Sequence, residues 1–467
     1  MKIKVNEARD VLRFVPPQLN SVVLKCARLF APLYLRAALH LRVQPLQHIE
    51  PLLDEFKRFF ENESKLILVF RHVHVHDAQV MFYLLNNIVH FQAKKRRILY
   101  PYRPHAHFLY GRGVPVWGGA YLEWLFSRLG GIPVHHRKLD REGLDVVRRY
   151  LQQGPYPIAL APEGQVTYHN ELVYDIEPGF AQLAMWARHD AAKAGGSQDV
   201  RILPISQYYD YGEEGVHIRS RLIDRIIRET GIELEGPLEP NRPAKPILRQ
   251  IGAELLTKIE VFYAQFYNIP ALTPVHSERD KGGRPGRQEC SRRRVEHLVD
   301  QVLKMQERRL GIQHPPKGFT PRIYIVRLEG WNRIFVRNSA NNEQRKNAAP
   351  LEHELQNFIA TEAGLFARHL EVVDLLAYFQ PEYALESDDA NRHIEFLLNL
   401  LDAVNRLKGG TIGQREHTRS TKVKLSIGNP ISLNSLTMQK PKISDRQLRK
   451  ELVERVKAQF DTLATER

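Results

Sequence analysis

Residues Phe70–Gln79 read FRHVHVHDAQ, three histidines on alternate residues followed by an aspartate. A neutral imidazole can ligate a metal or move a proton, and a carboxylate beside it can orient the ring for either task. At a period of two, His72, His74 and His76 are expected on one side of an extended segment, and the apolar LILVF before them reads as a buried strand. Three uses are open for the cluster: metal ligands, the polar end of a buried strand, or the acid–base centre of an enzyme.

As a metal site, the stretch resembles the HxHxDH signature of metallo-β-lactamase-type hydrolases, with the last two positions transposed. A binuclear centre also needs a further histidine and a bridging carboxylate. His135 and His136 are candidates, but the stretch GGIPVHHRK has no acid nearby other than Asp140. A zinc-dependent hydrolase using His72, His74 and His76 is therefore kept as an alternative, and no metal is assigned.

As an acid–base site, the chemistry needs only His72 and Asp77, spaced H-x4-D, with His74 and His76 accessory. On one continuous helix these two would point about 140° apart. Their pairing therefore requires a strand end, a turn, and Asp77 opening the following helix, for which AQVMFYLLNNIV is suited. The carboxylate can then hold one ring nitrogen while the other takes a proton from a hydroxyl, the base-plus-orienter logic of hydrolytic triads without a protein nucleophile.

The elements that must position these residues follow an α/β rhythm. From about 45 to 210, apolar runs (LILVF, RRILYPY, PIALAP, VRILPIS) alternate with helical stretches (AQVMFYLLNNIV, AYLEWLFSRL, REGLDVVRRYLQQ). Ligands of such folds bind at the carboxyl ends of the strands, which is where the polar motifs fall. After H-x4-D come GVPVWGG (113 to 119), GGIPVHHR (130 to 137), LAPEGQVT (160 to 167) and RILPIS (201 to 206).

Taken in this order, the blocks resemble the glycerolipid acyltransferase family, which includes the glycerol-phosphate and lysophosphatidate acyltransferases. The matching residues are His72 with Asp77, Gly131 through Arg137, Pro162-Glu163-Gly164, and Val200 through Pro204. The resemblance covers about 140 residues. It implies an acyltransferase-type mixed sheet flanked by helices and an O-acyltransferase activity. His72 is then the general base on an acceptor hydroxyl and Asp77 its orienter. The donor is an acyl thioester, acyl-CoA or acyl-carrier protein, used as co-substrate, with no further cofactor. Arg137, Glu163 and Gly164 are implied to bind a polar acceptor, for which the planar fork of an arginine suits a phosphate. Read singly, Arg137 is also an ordinary exposed cation and Glu163 a capping carboxylate. The family's third block continues Glu-Gly-Thr-Arg-Ser, where this chain has Glu163-Gly164-Gln165-Val166-Thr167. The arginine that helps hold the acceptor phosphate is thus missing, leaving Arg71, Lys138 or the additional domain as substitutes, or an uncharged lipid alcohol as acceptor.

Composition bounds the partners. The chain has 467 residues, 43% of them hydrophobic, and 68 Lys and Arg against 53 Asp and Glu, a formal net charge of +15. That balance attracts polyanions, among them nucleic acid, an anionic membrane face and acidic carriers or phosphorylated substrates, or reflects a solvated basic surface. Nucleic acid is not expected, since no basic stretch is interleaved with stacking aromatics in a recognisable module. No signal peptide and no apolar run of roughly 18 residues or more is evident, so a cytoplasmic protein peripheral to the membrane is expected. Residues 18 to 43 read as a helix bent at Pro32, with Lys25, Arg28, Arg36 and His40 on one arc and Val23, Phe30, Tyr34 and Leu41 opposite. Such a helix suits a membrane surface or a packed protein face.

Three regions are expected: an N-terminal amphipathic segment (1–44), a catalytic domain (45–275), and a mostly helical C-terminal domain (276–467). Either KVKLSIGNPISL with its following helix (421–467) or IELEGPLEP (232–240) is able to complete the catalytic sheet. A non-catalytic lipid-binding module on such a scaffold is the remaining alternative. Cys26 and Cys290 lack a local base partner, and neither a G-x-S-x-G elbow nor a Walker loop occurs.

Overall fold

The computed structural model describes residues 7–135, 140–212, 215–236, 243–272, 290–337 and 349–466. Strands in chain order are β1 (Arg9–Asp10), β2 (Leu41–Val43), β3 (Ser64–Phe70), β4 (His107–Gly111), β5 (Ile132–Val134), β6 (Ile158–Leu160), β7 (Asp199–Asp210), β8 (Phe335–Arg337), β9 (Thr421–Ile427) and β10 (Ile431–Ser432). Two compact units divide the chain. One comprises residues 14–212 with 418–467, the other residues 1–13 with 213–417.

The first unit is α/β, built on a mixed sheet in the order β2-β9-β7-β3-β6-β4-β5, with β10 also against β7. Strand β3 lies at its centre, parallel to β6 on one side and β7 on the other. Its five apolar residues alternate between two cores. Leu66, Leu68 and Phe70 join Leu52, Phe56, Val80 and Met81 of the helices on one face, α2 (Glu50–Phe60) and α3 (Asp77–Tyr83). Ile67 and Val69 join Val147, Phe180 and Leu452 from helices Arg141–Gln153, Gly179–Lys193 and Asp445–Thr465 on the other. A strand covered on both faces has no polar side, which is why LILVF is a continuous apolar run.

The C-terminal strand is the one that completes the sheet: β9 runs antiparallel to β7 and parallel to β2. Pro204 is tolerated inside β7 because its backbone faces the break between β9 and β10, where Gly428 donates to its carbonyl at 2.8 Å and no ladder partner needs the missing N–H. Residues 14–44 cluster with the sheet unit, and the described residues between 215 and 272 with the helices of the second unit. Sequence periodicity marks elements but not which core a helix joins.

The second unit contains the helices Gly215–Thr230, Ala244–Tyr267, Arg292–Arg309, Phe319–Ile334, Pro350–Leu376 and Ala390–Leu407, with β1 pairing parallel to β8. Helix Ala390–Leu407 is buried around much of its circumference, and its Asp402 is held by Arg406 and Arg415, each at 3.0 Å. A charge this deep needs such partners.

Candidate active site

The predicted alternation of the three histidines is not what forms. Strand β3 stops at Phe70, and residues 74–76 turn directly into α3. The turn is closed by Asp77 itself: its backbone N–H donates to the His74 carbonyl at 3.1 Å and its Oδ2 accepts the His74 N–H at 2.7 Å. A short polar side chain that bonds its own local backbone breaks the extended path. Imidazole 72 is thereby folded back onto the carboxylate, with Nδ1 of His72 3.0 Å from Oδ2 of Asp77.

Asp77 is fully buried, and its other oxygen accepts the hydroxyl of Tyr209 at 2.6 Å. Three donors thus converge on one carboxylate. With Nδ1–H given to Asp77, Nε2 of His72 carries the lone pair. The ring retains 24% of its side-chain surface exposed, so its outer edge is the part open to a substrate.

The loop after β6 grips the main chain of His72 from both sides. Glu163 Oε2 accepts the His72 N–H, and Thr167 donates its N–H (2.8 Å) and its hydroxyl (3.2 Å) to the His72 carbonyl. Gly164 makes the grip possible: it sits at φ +77°, where an L side chain would be strained, and closes a turn onto Ala161. Glu163 is 2% exposed and its Oε1 lies 3.5 Å from the equally buried Arg71. Burial pushes the Glu163 carboxyl above its ordinary value, against the opposing pull of Arg71 and the His72 N–H. Arg71 in turn donates to the carbonyls of Asn170, His169 and Leu172, tying down the rest of the loop.

Glu163, implied by the resemblance to bind the acceptor, is buried here and engages the His72 N–H and Arg71, and Gly164, likewise implied, closes a turn at positive φ. Arg71, a candidate replacement for the missing phosphate cation, has its guanidinium committed to buried carbonyls. Arg137 and Lys138 lie outside the described residues.

Three contributors were not singled out from sequence: Thr167, Asn170 and Tyr209. The Asn170 amide accepts the Tyr209 N–H and donates to its carbonyl, both at 2.8 Å, standing in for a ladder partner. Tyr209 reaches the site because β7 overshoots β3. Phe70 pairs with Ile205, and β7 continues to Asp210. Alternation from Leu203 and Ile205 was the available signal for the side on which Tyr209 falls, since all three join the α2–α3 core.

The other chemistries weighed from sequence fare differently. Among the described residues, no group of three or more His, Cys, Asp or Glu is arranged to hold a metal ion. His74 stacks on Tyr209 with ring centroids 4.4 Å apart, and Asp140 caps a helix, accepting from Gly143, Arg112 and His135. Cys290 is buried, which pushes its thiol up to about 12 and leaves it protonated.

The N-terminal helix α1 (Ser21–Leu33) is oriented differently from expectation. Arg28 points inward to Asn86 Oδ1 (2.8 Å), while Val22, Leu29, Phe30 and Leu33 are exposed along the outer face. Tyr34 follows at 48% exposure and lies within electrostatic reach of Tyr121, which is exposed, as are Trp117 and Trp124. No helix among the described residues is long and apolar enough to cross a membrane.

Neither a scan of the chain against protein-family models nor a search among curated proteins returns a match.

Proposed function

We propose that the chain is an O-acyltransferase that moves a fatty acyl group from acyl-CoA or acyl-carrier protein to a glycerolipid-type or other lipid alcohol. The observation that carries this reading is the buried Asp77 carboxylate 3.0 Å from Nδ1 of a His72 whose outer edge is exposed. Nε2 takes the proton of the acceptor hydroxyl as its oxygen attacks the thioester carbonyl. The C–S bond then breaks, and the departing thiolate receives that proton from the imidazolium. No covalent acyl-enzyme is required. Positioned general-base catalysis is worth on the order of 10²–10⁴ in rate. The block order at strand ends supports the acyl-transfer class.

The acceptor is left as a lipid alcohol without a specified charge, because Gln165-Val166-Thr167 replaces the usual cation and Arg71 is committed elsewhere. Attachment to a membrane surface is part of the proposal. The exposed Leu29, Phe30 and Leu33 would enter the interface, with the basic surface favouring anionic lipid at about 1 kcal/mol per cation.

The test is incubation of purified protein with radiolabelled acyl-CoA or acyl-carrier protein and a total lipid extract. Label is expected in a lipid alcohol with stoichiometric release of thiol, and to fall to a slow but measurable residual rate, by on the order of 10²-fold or more, with Asp77→Asn. Absence of transfer to every lipid alcohol offered overturns the reading.

A further inference from the structure

We infer that Tyr209 is a positioning residue for this proton transfer, its hydroxyl locking the carboxylate plane that steers His72; the inference rests on the acyl-transfer reading above. A carboxylate held through one oxygen can swing about its Cβ–Cγ bond, whereas one held through both oxygens from different elements cannot. Asp77 is of the second kind. Oδ2 takes the His72 Nδ1–H and the His74 N–H from its own segment, and Oδ1 takes Tyr209 from β7 at 2.6 Å.

The tyrosine is itself immobilised. Its backbone N–H and carbonyl are both engaged by the Asn170 amide, and its ring stacks on His74 at an interplanar angle of 25°. At 2% exposure Tyr209 has no surface for a substrate, so it acts through Asp77. Burial and the neighbouring Asp77 charge push its phenol well above the ordinary value, so it remains a donor across the working range of pH.

Removing the hydroxyl alone has a directional consequence. Among the ionisable groups around the His72–Asp77 pair are Tyr209 on β7, His74 in the turn, and the Glu163–Arg71 pair behind the His72 main chain. Of these, Tyr209→Phe alters only the donor to Oδ1. The carboxylate then holds a proton on the imidazole more firmly, and the base is freed at higher pH.

The experiment is the steady-state pH profile of acyl transfer for the full-length Tyr209→Phe protein, which keeps the ring, its stacking and its burial. Expected are a roughly 3- to 10-fold fall in kcat, an unchanged KM for the acyl thioester, and an acid limb of kcat/KM displaced upward by about half a pH unit. In an Asp77→Asn background the same change is expected to cost nothing further, because a residue acting through Asp77 is not additive with it. Asn170→Ala, which loosens the Tyr209 backbone but leaves the dyad intact, is expected to lower kcat in the same direction. A Tyr209→Phe protein with wild-type rate and an unmoved acid limb, or losses that simply add in the double variant, overturns the inference while leaving the acyl-transfer reading standing. An inactive wild-type chain removes that reading and this inference together.

Discussion

Two regions of the sheet unit carry a His-x-His pattern, and they do opposite things with it. His72 and His74 follow the carboxyl end of β3, whereas His105 and His107 sit at the amino end of β4. His105 is wholly buried, its Nε2–H given to the Leu129 carbonyl at 2.9 Å and its Nδ1 facing the Asn86 amide at 3.0 Å. His107 gives its Nδ1–H to the Gly130 carbonyl at 2.8 Å. No carboxylate accompanies either ring in these contacts, and burial pushes them down to about 3 and about 4. These imidazoles stay neutral and act as shaped polar struts. His72 differs in its partner, a carboxylate in place of a carbonyl, and in keeping an exposed edge. An imidazole can carry a proton in turnover only when its charged form is compensated and its second nitrogen is reachable.

The largest way to break this contrast is to make the same substitution in both places. His72→Gln is expected to reduce acyl transfer by about 10²–10⁴, roughly 3 to 5 kcal/mol of barrier, while His105→Gln leaves the rate unchanged. Equal losses in a thioester-release assay would dissolve the distinction.

Next in size is the scaffold beneath His72. Arg71→Met removes the buried partner of Glu163 and the donor to three loop carbonyls, and is expected to lower unfolding free energy by about 3 to 5 kcal/mol in urea titrations. A loss below about 1 kcal/mol would show that the pair does not support the site.

The struts give a smaller, pH-dependent signature. Their imidazoles are depressed in the folded state relative to about 6.5 in the unfolded chain, so the unfolded chain binds protons first. Stability is complete above about pH 6.5 and falls from there to about pH 4 for His107 and about pH 3 for His105, by at most about 1.4 kcal/mol per pH unit for each histidine. His107→Asn retains a donor for Gly130 but cannot titrate, and should flatten that slope when unfolding midpoints are measured across the window.

Smallest is the effect of the outer α1 face on the chemistry itself. Leu29→Glu with Phe30→Glu is expected to reduce flotation with anionic vesicles at least about tenfold, since each apolar side chain contributes about 1.5 to 3 kcal/mol when buried. Turnover of a water-soluble short-chain acceptor should be unaffected. Undiminished flotation would remove that face from the membrane proposal.

Several features of the site were legible because their causes are local. LILVF is apolar throughout because β3 is covered on both faces, and Asp77 opens a helix because the apolar period changes there. Other features were misread for equally physical reasons. Alternate histidines look like a strand, yet the Asp77 side chain captures the His74 N–H and ends it. Arg28 looks like part of a wet basic arc, yet Asn86, 58 positions further on, gives it a buried partner. The buried Glu163 owes its inward position to Arg71, a neighbour that only the fold supplies.

By itself, then, the sequence marked several element starts, β3 and α3 among them but not β4, since RRILYPY forms no strand, and it showed that an imidazole and a carboxylate would meet at one of those junctions, because hydrophobic period and local hydrogen bonding act over a few residues. Only the tertiary structure decided that β7 outruns β3 far enough to bring Tyr209 onto Asp77, that the Glu163 loop clamps the backbone of His72, and that β9 joins the sheet beside a β7 about 220 residues earlier, Ile427 pairing with Ile205. Register between distant strands is set by how whole faces pack, and no local stretch of residues encodes it.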